Sequence, residues 1–118
     1  MKTKPLFWMG SSRADLKEFP EAVKDIMGFA LYVAQKGNKH LAAKPLKGFH
    51  GAGVLEIIEN YSGNAFRVVY TTSLQSAVYV LHAFQKKSKS GIETPKRDIA
   101  LITTRLKQAS MHHESLFK

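Results

Sequence analysis

From Glu21 to Lys36 the apolar residues Val23, Ile26, Met27, Ala30, Val33 and Ala34 recur at three- and four-residue intervals. That is the period of an α-helix with one buried stripe. Pro20 breaks or restarts the chain before it, because proline suits a first helical position and lacks the N–H that an interior one needs, and Gly37 is placed to end the helix. Farther on the period falls to two. VLEIIENY, AFRVVYTT and SAVYVLHAFQ are rich in β-branched and aromatic residues, with turn signals at SGN (62–64) and from Thr72 to Ser76. Strands joined this closely form an antiparallel meander, since parallel pairing needs long crossovers.

The flanks complete the pattern. KPLFWM makes a short first strand, Ser11 or Ser12 caps a turn, and RADLKEF reads as one short helix. KGNKHLAAKPLKGFHGAG has no clear period, and its glycines and proline mark an irregular connection. TPKRDIALITTRLKQA predicts a last helix with Thr94 as N-cap and Pro95 as first helical residue, with Ile99, Ile102 and Leu106 on one face. His112 and His113 follow in what reads as a frayed tail. The order β-α-α-β-β-β-α predicts one α+β domain over residues 1–118, its helices packed on one face of a twisted sheet.

Composition narrows the chemistry. The 118 residues suffice for one core, and 44% hydrophobic against 23% charged residues is ordinary globular usage. The absence of cysteine excludes disulfides, thiolate metal sites and cysteine nucleophiles. LFWM is too short for a signal-peptide core and no stretch approaches a membrane span, so a soluble cytoplasmic protein is expected. A net charge of +9 favours a polyanionic partner. Residues 86–107 concentrate it: Lys86, Lys87, Lys89, Lys96, Arg97, Arg105 and Lys107 stand against Glu93 and Asp98, a local net of +5.

Strand alternation sorts these side chains by face. Arg67, Val69 and Thr71 share one side of the second meander strand, and Phe66, Val68 and Tyr70 form the better core side. In the last strand His82, Phe84 and Lys86 lie together, opposite Leu81, Ala83 and Gln85. With helices on one side only, Arg67, His82 and Lys86 would converge on open sheet, the outline of a phosphate site. The other readings are an Arg67 ion pair with Glu56 or Glu59 across the sheet, a satisfied half-buried His82, and lysines that guard a strand edge. Tyr70 and Tyr79 read as packing residues.

Three strings, KPLKGFHGAGVLEI, FRVVYTT and above all YVLHAFQKKSKSGIETPK, resemble the phage-derived, HigB-like branch of the RelE/ParE toxin superfamily, and the likeness runs over nearly the whole chain. The resemblance implies a RelE-like helix-plus-sheet fold. It also implies, in the enzymatic members, a ribosome-dependent endoribonuclease that cuts mRNA and is restrained by a cognate antitoxin, usually a small helix-turn-helix protein. Arg67 matches the arginine of the RelE-type YRLVY strand, and Lys86 the cation just past the last strand, with Lys87 directly after it. RelE-type enzymes place lysines in the preceding strand, where this chain has Glu56, Ile58 and Glu59, so the usual lysine base has no counterpart there.

Metal-free RNA cleavage uses the RNA's own 2′-hydroxyl as nucleophile, which leaves the protein to remove a proton, stabilise the phosphorane oxygens and assist the leaving 5′-oxygen. Arg67, Lys86 and Lys87 suit charge stabilisation, and His82 or, more weakly, Glu56 suits proton transfer. Lys89, Lys96, Arg97 and Lys47 are the expected RNA contacts. No cofactor is expected, and the scattered histidines offer no metal-ligand spacing. GFHGAG precedes a strand, where a phosphate-cradling glycine motif opens a helix. Two further readings stay open: a non-catalytic, ParE-like inhibitor of DNA gyrase and a basic RNA-binding module.

Overall fold

Ser62 and Gly63 both adopt positive φ, 50° and 80°, and join two eight-residue strands through a two-residue loop. Such turns match the right-handed twist of a hairpin. In the computed structural model residues 3–49, 53–86 and 94–117 are described, Lys86 by its backbone alone. Their elements are β1 (Leu6–Trp8), α1 (Ser12–Lys17), α2 (Glu21–Gln35), β2 (Lys44–Pro45), β3 (Val54–Tyr61), β4 (Asn64–Thr71), β5 (Val78–Lys86) and α3 (Lys96–Leu116).

The five strands form one sheet in the order β1-β5-β4-β3-β2. Strands β3, β4 and β5 make the expected antiparallel meander, β2 adds to β3 antiparallel, and β1 runs parallel to β5. The short β2 lies inside the connection read as irregular. Helix α2 ends as anticipated: Gly37 takes φ 87°, its N–H bonds the Ala34 carbonyl and that of Asn38 bonds Val33, a Schellman motif. Helix α2 begins at Glu21 as expected, with Pro20 as its N-cap, whereas α3 begins one residue later than expected, with Pro95 rather than Thr94 as N-cap.

The expectation that all helices share one face is overturned. Val23, Met27, Ala30, Leu31 and Ala34 of α2 pack with Ile57, Phe66, Val68, Tyr70, Val78 and Val80 on one face. Ile102 and Ala109 of α3, flanked by Ile99 and Leu106, pack with Val54, Val69, Tyr79 and Leu81 on the other. The cause lies in β5, whose run VYVLHAF is apolar on both sides and so must be covered twice. Each such side chain contributes about 1.5–3 kcal/mol on burial. Within α2 the buried stripe is centred on Met27 and Ala34 and takes in Leu31, whereas Ile26 and Val33 are only half-buried.

One irregularity sets what α3 meets. Val69 pairs with His82 and Tyr70 with Val80, so Leu81 is an extra residue on β5. Two residues opposing one is a β-bulge. It turns Leu81 onto the α3 face beside His82, whereas simple alternation had placed Leu81 with Ala83 and Gln85. The C-terminal part of α3 is ordered through His113, not frayed. Tyr79 Oη and His112 Nδ1 are 2.7 Å apart, and His113 Nε2 accepts the Ser76 N–H at 3.2 Å. Among the described residues no helix is long and apolar enough to cross a membrane.

Candidate active site

Glu56 and Arg67 stand on the α3 face of β3 and β4, where alternation puts Val54 and Val69 on the same side. In register Glu56 faces Val69 and Arg67 faces Ile58, so the two charged groups meet on a diagonal. Arg67 Nη1 lies 3.5 Å from Glu56 Oε1 and donates to Thr94 Oγ1 at 3.2 Å. Both residues are buried, Arg67 at 2% exposure and Glu56 at 6%. Of the readings open for Arg67, the Glu56 pair is the one realised. The open-sheet arrangement is not, because α3 begins over this face.

Glu56 does not vanish into the core. It lines a groove of about 420 Å³ with Lys44, Pro45, Leu46, Lys47, Thr94, Lys96 and Ile99. The groove lies between the β2–β3 margin of the sheet and the first turns of α3. Lys44 reaches it because β2 pairs Lys44 directly with Glu56. Desolvation pushes the Glu56 carboxyl above its ordinary value of 4.5, and the charges of Arg67 and Lys44 pull it back only in part. A contact as long as 3.5 Å explains why burial wins. The result is a carboxylate held ready to take a proton, under a rim of three lysines.

His82 belongs to a different assembly. Its Nε2 lies 2.8 Å from Asp98 Oδ1 and its Nδ1 3.4 Å from Arg105 Nη1, while its ring stacks on Phe84 with centroids 4.5 Å apart. Since Arg105 can only donate, Nδ1 accepts and Nε2–H donates to Asp98. Both ring nitrogens are thereby engaged, and His82 is the satisfied, buried histidine of the alternative reading rather than a free base. Arg105 also donates to the Leu81 carbonyl at 3.0 Å and to Ser11 Oγ at 3.3 Å. Gly10, at φ 54°, permits this clamp: a Cβ there would fall 2.6 Å from an Arg105 nitrogen.

The remaining expected residues divide. Lys47 and Lys96 rim the groove, whereas Arg97 is exposed on α3 but does not line it. Lys86 closes β5 opposite Ala65. Lys87 and Lys89 lie outside the described residues. Sequence reasoning missed Lys44, Asp98 and Arg105. A signal existed for two of them: Asp98, Ile102, Arg105 and Ala109 share one stripe of α3, and charged residues on a buried stripe need partners. Lys44 gave none, as a two-residue strand has no period.

A family model for "Phage derived protein Gp49-like (DUF891)" matches residues 14–107. No curated protein matches the chain significantly. Among solved structures, the free state of a doubly substituted E. coli toxin RelE is similar at a TM-score of 0.56 and 13% identity, covering 92% of this chain and 98% of that one. The toxin–antitoxin complex RelBE2 of Mycobacterium tuberculosis gives a TM-score of 0.48 at 17% identity, over 75% of this chain and 97% of that one. The RelE likeness establishes a shared fold.

Proposed function

Because the chain belongs to the phage-derived Gp49-like family, a RelE-like toxin family, we propose that it is the toxin of a type II toxin-antitoxin pair and an endoribonuclease that cuts mRNA on the ribosome. The observation that supports this most is Glu56, paired with the buried Arg67, on the floor of a groove rimmed by Lys44, Lys47 and Lys96. A phosphodiester seated there meets cations for its oxygens and a carboxylate for the 2′-hydroxyl proton.

In this reading Glu56 is the general base. Its raised pKa keeps it basic enough to accept a proton in the transition state, a contribution of about 10²–10⁴ in rate. Arg67, buried behind Glu56, holds that carboxylate and adds its positive field to the site, while the rim lysines stabilise charge on the phosphorane. Lys96, Lys47 and Lys44 hold the flanking phosphates. Lys86 and Lys87, expected to stabilise charge, also serve as candidates for protonating the leaving 5′-oxygen, and Lys89 and Arg97 for contacts farther along the RNA. The protein acts in the cytoplasm, on mRNA and ribosomes, until a helix-turn-helix antitoxin neutralises it.

The engagement of Arg67 by both Glu56 and Thr94 favours one other reading, a non-catalytic inhibitor of DNA gyrase on the same scaffold. Induction in growing bacteria followed by mapping of new transcript 5′ ends separates the two. Translation-dependent cuts that vanish in Glu56→Gln support the ribonuclease. Gyrase-dependent DNA breaks without RNA cuts would replace it.

A further inference from the structure

Helix α2 turns its core stripe to the sheet and carries a second stripe outside. Ala22, Asp25, Phe29 and Tyr32 are exposed there and Lys36 is half-buried. Their spacing of three and four residues makes one seam along the helix. Phe29 and Tyr32 keep 58% and 49% of their surface in solvent, and Leu41, next to the His40 ring that packs edge-on to Phe29, is wholly exposed. Contiguous exposed apolar groups of this kind mark interaction sites.

Gly28 adds an independent observation. A Cβ at this position would meet nothing within 4 Å, so the fold has no need of glycine there. Glycine inside a helix costs about 1 kcal/mol relative to alanine. What it provides is bare backbone that another surface can approach closely.

The order of residues along the seam identifies that surface. Asp25 lies toward the N-terminal end and Lys36 at the C-terminal end, and Asp25/Lys36 and Phe29/Tyr32 are both centred on the same point between positions 30 and 31. A second copy laid antiparallel about a two-fold axis through that point brings Asp25 to the partner's Lys36 and Phe29 to the partner's Tyr32, with the bare backbone of Gly28 on the flank of the contact. Each contact then occurs twice, as an isologous interface requires. Asp25 has no ion pair among the described residues, and Lys36 Nζ already lies on this seam, 5.9 Å from the centre of the Tyr32 ring.

We propose that the outer face of α2 is a homodimer interface, formed by antiparallel packing against α2 of a second copy. The groove stays open in such a dimer, because α2 and α3 cover opposite faces of the sheet. So small a contact binds more weakly than a standard interface of about 1,600 Å².

Sedimentation of the full chain over a wide concentration range tests this. The wild type should pass from monomer to dimer. Asp25→Lys alone and Lys36→Glu alone should each weaken association about tenfold or more, since each sets like charges opposite one another. An equimolar mixture of the two variants should dimerise again, as should the double variant. Circular dichroism confirms folding of each, and Phe29→Ser, a change of shape rather than charge, should be monomeric. A wild type monomeric throughout, or charge reversals without effect, overturns the proposal. So does a mixture that fails to associate, or a monomer whose α2 face instead binds an RNA oligonucleotide or a co-expressed antitoxin.

Discussion

Arg67 reaches Glu56 across two strands, Nη1 to Oε1 at 3.5 Å, with Thr94 at the start of α3 accepting the same nitrogen's second contact. Neither charge is free to drift, since each is nearly excluded from solvent. Glu56 therefore forms a fixed floor backed by Arg67, and Lys44, Lys47 and Lys96 surround it.

Over one pH window, activity and stability should move in opposite directions. Glu56 has a folded pKa above its unfolded value of 4.5 because burial disfavours its charge. Below that value both states are protonated. As pH rises, the unfolded chain ionises first and the folded one retains the proton, so stability falls until the folded pKa is passed, then levels. Cleavage should rise through the same window as the base ionises. Urea titrations and single-turnover cleavage at matched pH check this. In Glu56→Gln the stability step should disappear and the rate should drop about 10²–10⁴-fold. Undiminished cleavage would remove Glu56 as base.

The lysine rim should be legible in salt. For a single-stranded RNA oligonucleotide, each of Lys44→Ala and Lys96→Ala should lower the slope of log K against log salt by about 0.7. Fluorescence anisotropy in the Glu56→Gln background, where the probe survives, measures it. Arg97→Ala, outside the groove, should change the slope less.

Helix α3 should loosen when its polar clamp is broken. Asp98→Asn removes the charge facing the His82 N–H and should cost about 1–3 kcal/mol, read as faster amide exchange along α3. Gly10→Ala should also destabilise, because it strains a φ of 54° and drives a methyl into the Arg105 guanidinium. Equal melting temperatures for wild type and Gly10→Ala would mean that the clamp bears no load.

Tyr70 is fully buried, and its hydroxyl has no hydrogen-bond partner among the described residues. Burial pushes its pKa up to about 12. Tyr70→Phe removes an unsatisfied polar group at nearly constant shape and should leave the protein equally stable or raise its stability by about 1 kcal/mol, by urea denaturation.

Much of this architecture was legible from residue order. The period-two runs yielded the meander, Ser62-Gly63 its hairpin, Gly37 the end of α2, and strand parity put Arg67 opposite Phe66. The seat of α3 was misread, although β5 held the clue: VYVL is apolar at four consecutive positions and AF follows His82, whereas a strand with one wet face would alternate. That error carried Arg67 and His82 onto an imagined open surface. The Glu56 partnership was among the readings weighed, but the role of Lys44 depends on a strand pairing between segments that carry no shared local signal.

The extra residue in β5 has a consequence for what this strand tolerates. With Leu81 inserted, consecutive positions give α3 first an aliphatic seat and then the imidazole that Asp98 and Arg105 grip. Excise that single residue and strict alternation returns, with Tyr79 and His82 still on the α3 side and Val80 and Ala83 still under α2. Point substitutions at 81 would be felt as lost packing, and a one-codon deletion would remove that seat and straighten the strand while leaving both interiors with their own residues.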